Sequence, residues 1–254
     1  MSSERPQYFD SYPTINFTRD DDGILILTLH TNDGPVTYSS QNHRDWVGAF
    51  YDVGRDADNA VVIITGTGDS FIDAMAWDTP VNTPELWEKI HHEGKRFLRN
   101  LLDIEVPVIA AINGPVSIHA EVPLLSDITI ASTTATFSDA PHFPSGGVPG
   151  DGVHIVWPEL LGSNRGRYFL LTGQVLTAEE AKSLGVINEV CPPDQLMPRA
   201  LELARMLAAK PAVLRRHTRT VLTIKWKRLL DEGLGYGLAL EGLNVISSMP
   251  ATSL

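Results

Sequence analysis

Two short runs of uninterrupted apolar residues, Ala60-Val61-Val62-Ile63-Ile64 and Val106-Pro107-Val108-Ile109-Ala110-Ala111-Ile112, constrain this chain more than anything else in it. A strand with one wet face alternates polar and apolar residues. These runs do not alternate, so each predicts a strand buried on both sides, with helices above and below the sheet. Helical spacing follows where that arrangement needs it. Residues 40–53 open after Ser39 and carry Trp46, Val47, Phe50 and Val53 on one stripe; residues 84–102 begin on Pro84, a first-turn residue. Upstream, residues 14–38 alternate around Asp20-Asp21-Asp22-Gly23 and predict a hairpin. Downstream, strands are expected over 128–130, 136–137 and 186–190, with helices over 165–171 and 177–184. From residue 193 the pattern is helical, over 195–209, 212–230 and 234–247. The order of elements predicts an α/β fold with a division near residue 192: a core over 1–192 and a helical region over 193–254 that is too short to stand alone and is expected to pack on a neighbour.

Composition narrows the chemistry. Of 254 residues, 31 are Asp or Glu and 20 are Lys or Arg, a formal charge of −11, which argues against a nucleic acid or an anionic membrane as partner. No apolar run reaches the roughly 18 residues of a membrane span, and the opening residues Met1 to Asp10 lack a basic stretch followed by an apolar one. A cytoplasmic protein is expected. Cys191 is the single cysteine, so an internal disulfide is impossible, and no Cys or His spacing suits a structural zinc. That leaves His, carboxylates and backbone groups, with no metal or organic cofactor expected.

The segment from Phe137 to His154 gathers three prolines, four glycines, two His and two Asp. Such a loop can fold back sharply, so His142 and Asp151 can meet although nine positions apart. A carboxylate on one imidazole nitrogen would leave the other as a general base. The competing reading has His142 in a turn and Asp151 as the cap of a helix starting near Gly152. His119 follows the second apolar strand and the turn Asn113-Gly114, at a strand's carboxyl end, where α/β sheets gather ligands; a satisfied buried His fits there as well. Gly66-Thr67-Gly68 lacks the third small residue of a dinucleotide loop, since Phe71 stands there. The basic stretch Arg215, Arg216, Arg219, Lys225, Lys227 and Arg228 reads as a solvated helix face. Trp157 and Trp226 read as core.

Several ordered motifs resemble the crotonase superfamily: Val61-Val62-Ile63-Ile64-Thr65-Gly66-Thr67-Gly68-Asp69-Ser70-Phe71, Val106 through Pro115, Ser126 through Ser132 with Ala135-Thr136-Phe137, Val148-Pro149-Gly150-Asp151-Gly152, and Leu170-Leu171-Thr172-Gly173-Gln174. The resemblance implies a spiral of ββα units with a C-terminal helical region that packs in trimers or in dimers of trimers. It also exposes departures. Val122 stands where the family's first hydratase glutamate would be and His142 where the second would be, so addition of water to an enoyl thioester by paired glutamates is not expected.

With His119-Ala120-Glu121-Val122-Pro123 and Ala140 through Gly146, the chain is similar to the β-diketone hydrolase branch that includes 6-oxocamphor hydrolase. That likeness implies a His142–Asp151 dyad activating water, His119 beside the reacting carbonyls, and Glu241 as a further polar group. The backbone N–H groups of Asp73 and His119 take the oxyanion-hole positions. Tyr38 stands where the branch has a substrate-contacting Trp, and with Trp77 and Phe143 it makes up the expected substrate-binding set. The implied reaction is retro-Claisen cleavage of a small 1,3-diketone; the alternatives are chemistry on an acyl-CoA thioester and a non-catalytic oligomeric paralogue.

Overall fold

The structure, a computed structural model, describes residues 5–248. Residues 1–4 and 249–254, and with them the close of the helical region expected over 193–254, lie outside the described residues. Strands β1 (Ile15–Arg19) and β2 (Ile24–Leu29) form the antiparallel hairpin. Gly23 at its turn has φ +75°, and a Cβ there would lie 2.6 Å from the Asp58 carbonyl oxygen. The hairpin is shorter than expected, because β3 (Thr37–Tyr38) leaves it to pair with Ala74 and Met75. Helix α1 (Ser40–Arg55) starts at a reciprocal cap between Ser39 and Asn42. Then follow β4 (Val61–Gly66), β5 (Ala74–Met75), α2 (Pro84–Asp103), β6 (Val108–Ile112), the single turn α3 (Glu121–Leu124), β7 (Ile128–Ser132) and β8 (Thr136–Phe137). The chain continues through α4 (Val153–Leu161), α5 (Ser163–Thr172), β9 (Leu176–Thr177), α6 (Ala178–Ser183), β10 (Glu189–Cys191), α7 (Pro193–Ala208) and α8 (Ala212–Ser248).

The main sheet has the order β1-β2-β4-β6-β7-β10, parallel from β2 onward. Strand periodicity sorts its residues into two cores. Val62, Ile64, Val108, Ala110 and Ile112 face Trp46, Phe50, Phe97 and Leu98 of α1 and α2, whereas Val61, Ile63, Ile109 and Ala111 face Leu196, Ala200, Leu203 and Ala204 of α7. The uninterrupted apolar runs are thus covered on both sides. Helix α7 therefore belongs to the core of its own sheet, and the helical stretch does not begin as a separate layer at residue 193.

Three expected elements differ. The strand expected over 186–190 lies at Glu189–Cys191, because Asn188 pairs both its N–H and its side-chain oxygen with Thr129 and sets the register one turn later. The helices expected over 212–230 and 234–247 are one helix, α8. Residues 231–233, left between the two expected helices, continue α8, and Gly237 within it serves close approach: the carbonyl of Gly150 lies 2.5 Å from where a Cβ would stand. The basic stretch is only in part a solvated face, since Arg219 is buried against Asp127. Among the described residues no helix is long and apolar enough to cross a membrane. The whole is an α/β fold, a mostly parallel sheet covered by helices on both faces.

Candidate active site

The segments that follow β5, β6 and β8, with α2 and the C-terminal half of α8, line a cavity of about 280 Å³. Helix α2 gives it Trp87, Gly94 and Phe97; α8 gives Leu238, Glu241 and Val245. The two helices are pinned together by the Trp87 indole N–H, which donates to the Leu238 carbonyl at 2.9 Å. Apart from His43, His119, His142, Asp151 and Glu241 the lining is largely apolar, a composition suited to a small uncharged molecule.

Four of the expected residues converge here. His142, Asp151, His119 and Glu241 all line the cavity, with Asp151 Oδ2 3.5 Å from His142 Nε2 and 3.4 Å from His119 Nδ1, and Glu241 Oε1 4.0 Å from His142 Nε2. The expected pairing of His142 with Asp151 takes a different form. The short contact of His142 is from Nδ1 to Asp139 Oδ1, at 2.6 Å, so Asp151 faces the other nitrogen rather than holding the ring from behind. The competing expectation is met only in part: Gly152 is the capping residue of α4, and Asp151, one place before it, accepts from Val153 N–H through Oδ1 at 3.4 Å. One carboxyl group serves both purposes because its two oxygens point different ways.

Two further acids escaped sequence reasoning. Glu121 is fully buried and its Oε1 lies 2.5 Å from His119 Nδ1; Asp139 is 3% exposed. The available signal was spacing, since His119-x-Glu121 and Asp139-x-x-His142 place each acid beside its imidazole along the chain. His119, Glu121 and Asp151 bring possible ligand atoms within 4.8 Å of one another. A 2.5 Å N···O contact is that of a charge-assisted hydrogen bond, with no room for an ion between the two atoms.

Of the aromatic set, Tyr38 and Trp77 line the cavity, with the Tyr38 ring centroid 4.3 Å from that of His119. The Tyr38 hydroxyl meets His43 Nδ1 at 2.9 Å, and His43 Nε2 lies 3.6 Å from Glu93. Burial is the main reason His43 titrates only at about 3; it is neutral at pH 7. Phe143 corrects an expectation: it is 53% exposed and does not line the cavity, because the short 3-10 helix Phe143–Ser145 turns its side chain outward.

Asp73 and His119 are brought side by side by the bridge between Ile72 and Val116, extended by Ile118 N–H donating to the Ile72 carbonyl. Among the described residues neither the Asp73 nor the His119 amide has an acceptor. His119 has φ +49°, a left-handed conformation costing a β-carbon-bearing residue about 1–2 kcal/mol. Strain of this kind is held at sites where direction matters more than stability.

Electrostatics follow from burial among acids. For His142, burial opposes the imidazolium, but Asp151, Asp139 and Glu241 outweigh it and raise the ring to about 10. Burial likewise opposes His119 ionisation, and Glu121 with Asp151 reverses it, so that His119 is raised too. Asp151 stays a carboxylate despite its burial, held low by the two imidazoliums. Glu241, in contrast, is pushed up to about 8, first by burial and then by Asp151. At neutral pH the cavity therefore holds the His142 imidazolium against the Asp151 carboxylate, with a neutral acid on α8, while the acids beside His119 favour its protonated form.

The fold has counterparts among known proteins. The enoyl-CoA hydratase/isomerase family model matches residues 19–234, and the chain belongs to that family. Carnitinyl-CoA dehydratase of Salmonella arizonae is 33% identical over 197 residues, 74% of this chain and 72% of its own. An enoyl-CoA hydratase/isomerase structure from Mycobacterium paratuberculosis superposes with TM-score 0.83 at 25% identity, covering 92% of this chain and 94% of its own. Within the family the chain is much more similar to ABDH, a β-diketone hydrolase from the cyanobacterium Anabaena solved with (S)-3-oxocyclohexyl acetic acid: 48% identity and TM-score 0.94, over 96% of this chain and 98% of that one.

Proposed function

We propose that this protein is a β-diketone hydrolase of the cytoplasm that cleaves a C–C bond of a small cyclic 1,3-diketone by a retro-Claisen reaction, without metal or organic cofactor. The observation that carries the reading is the pair of imidazoles, His142 and His119, converging on one carboxylate in a largely apolar cavity. Likeness to ABDH supports it. Neutral His142 takes a proton from water through Nε2 as the oxygen adds to one carbonyl carbon. The tetrahedral oxyanion is met by the Asp73 and His119 amides. The C–C bond then breaks, its electron pair passing into the second carbonyl as an enolate beside the His119 imidazolium. His142 returns its proton to the enolate carbon, and a keto acid leaves; substrate plus water equals product. Losing one preorganised oxyanion donor typically costs about 3–4 kcal/mol.

The pH dependence has a definite sign. The base is the neutral ring, and its neighbours hold the imidazolium form up to about 10. With a cyclic 1,3-diketone that cannot enolise, and so brings no titration of its own, kcat/KM is expected to rise about tenfold per pH unit from neutrality and to level near pH 10, measured as release of the keto acid. A flat profile from pH 6 to 10 would exclude His142 as the base, and no turnover of monocyclic or bicyclic diketones would exclude the activity. Coenzyme A thioester chemistry is the second reading, favoured by the 33% identity to carnitinyl-CoA dehydratase; micromolar coenzyme A binding by calorimetry together with inert diketones would favour it.

Assembly is part of the proposal. Val221, Leu222, Tyr236 and Leu243 of α8 are each more than 60% exposed in the single chain, more bulky apolar surface than an isolated helix face usually presents to water. A homotrimer or a pair of trimers is expected to cover it. Light scattering after gel filtration should give three or six chain masses, and a monomer at micromolar concentration would refute this.

A further inference from the structure

We propose that Asp139 is the positioning residue for His142, and that Asp151 is thereby released from orienting the ring to face the reacting atoms; the kinetic part of this rests on the diketone hydrolase reading. Three observations carry it. First, Asp139 Oδ1 lies 2.6 Å from His142 Nδ1, almost an ångström shorter than the 3.5 Å from Asp151 to Nε2. Second, Asp139 is 3% exposed and does not line the cavity, whereas His142, Asp151 and Glu241 do. It stands behind the ring, where it can hold but not react. Third, its backbone is fixed to the oxyanion segment: Ser138 N–H donates to the Val116 carbonyl at 3.1 Å and Ala140 N–H to that of Ser117 at 3.0 Å. The His142 carbonyl in turn accepts from Ser145 and Gly147 N–H at 2.8 and 2.9 Å. Segments 138–142 and 116–119 thus move as one piece, which ties the base to the donors that must meet the same carbonyl.

The consequence is a tautomer. A carboxylate on Nδ1 keeps a proton there, so deprotonation of His142 must empty Nε2, the nitrogen that faces Asp151 and Glu241. Were Asp151 the orienting group, the neutral ring would keep its proton on Nε2 and present Nδ1, which Asp139 blocks. The same logic applies to His119, whose Nδ1 is held by buried Glu121.

The unmodified protein decides the point. In histidine-labelled protein titrated by ¹⁵N NMR, with the His142 signals assigned by their loss in His142→Gln, the neutral ring is expected as the Nδ1–H tautomer. A neutral ring protonated on Nε2 overturns the proposal, whatever substrate the enzyme accepts. The charged and titratable groups around the ring are Asp139, Asp151, Glu241, His119 and His154. Of the two acids that do most to raise it, Asp139 can be neutralised without touching the cavity lining. In Asp139→Asn the alkaline limb of kcat/KM should move to lower pH and kcat should fall by on the order of 10²-fold or more, with KM for the diketone within about twofold. An unshifted limb with wild-type kcat would reduce Asp139 to a packing residue and overturn the proposal. If the wild type opens no diketone, the function reading fails while the tautomer still settles the role of Asp139.

Discussion

Replacing His142 by alanine is expected to lower kcat for ring opening by about 10²- to 10⁴-fold, the range for a positioned general base, while KM changes little. The ring is 4% exposed, and its Nε2 side opens toward Asp151 and Glu241 in the cavity. No neighbour can substitute. His119 spends Nδ1 on Glu121, which favours its protonated form, and His43 is too weak a base, titrating at about 3. Truncation also leaves Asp139 buried without its partner; that carboxyl group, already raised by burial, is expected to take up a proton rather than remain a lone anion. The fold should therefore survive, which near-UV circular dichroism can check alongside the rate. A well-folded His142→Ala protein retaining a tenth or more of wild-type kcat would remove His142 from the mechanism.

Most of the fold was legible because its signals are local and strong. The doubly buried strands announce themselves as apolar runs, and α1 and α2 by spacing and caps. What the periodicity could not show is which partner covers each face. Leu196, Ala200, Leu203 and Ala204 look like any amphipathic helix, and only the three-dimensional path reveals that α7 seals the second side of its own sheet. The interruption expected between residues 230 and 234 does not occur, and the glycines of α8 serve another purpose. In isolation Gly233 and Gly237 weaken a helix by about 1 kcal/mol each, yet here the 150 loop crosses the α8 backbone so closely that at Gly150 a Cβ would lie 2.7 Å from that of Glu241.

The site was legible in its members and not in its wiring. His119, His142, Asp151 and Glu241 do meet in one cavity. An acid near a histidine in sequence, however, does not say which nitrogen it takes, nor that Asp139 and Glu121 would be the ones buried. Phe143 shows the opposite limit, since adjacency to His142 says nothing of direction once a tight turn intervenes. Titration behaviour was the least legible, because four acids and two imidazoles set one another's charge through distances no sequence carries.

Arg219→Ala is expected to cost about 3–5 kcal/mol, the penalty for breaking a buried ion pair from one side. The guanidinium projects from α8 with a side chain 1% exposed, and its Nε donates to Asp127 Oδ2 at 2.6 Å. Its other nitrogens donate to the carbonyls of Leu101, Leu102 and Ile104, the unpaired acceptors at the end of α2. Asp127 Oδ2 in turn accepts from Val108 N–H at the start of β6, at 2.7 Å. One side chain thus closes the C-terminus of α2, neutralises a partly buried carboxylate and joins α8 to both. Lysine cannot replace it, because a single ammonium lacks the planar fork that reaches several acceptors in fixed directions. For a chain of this size the loss corresponds to a fall in Tm on the order of 10 °C. Arg228→Ala, on the exposed side of the same helix, should move Tm by no more than about 1 °C and serves as the reference. Equal midpoints for the two variants would mean that the network adds nothing net. Helices α2 and α8 also supply Trp87, Phe97, Leu238 and Glu241 to the cavity, so a loosened Arg219→Ala protein should show a raised KM below its melting transition, with the His142 limb of the pH profile unmoved.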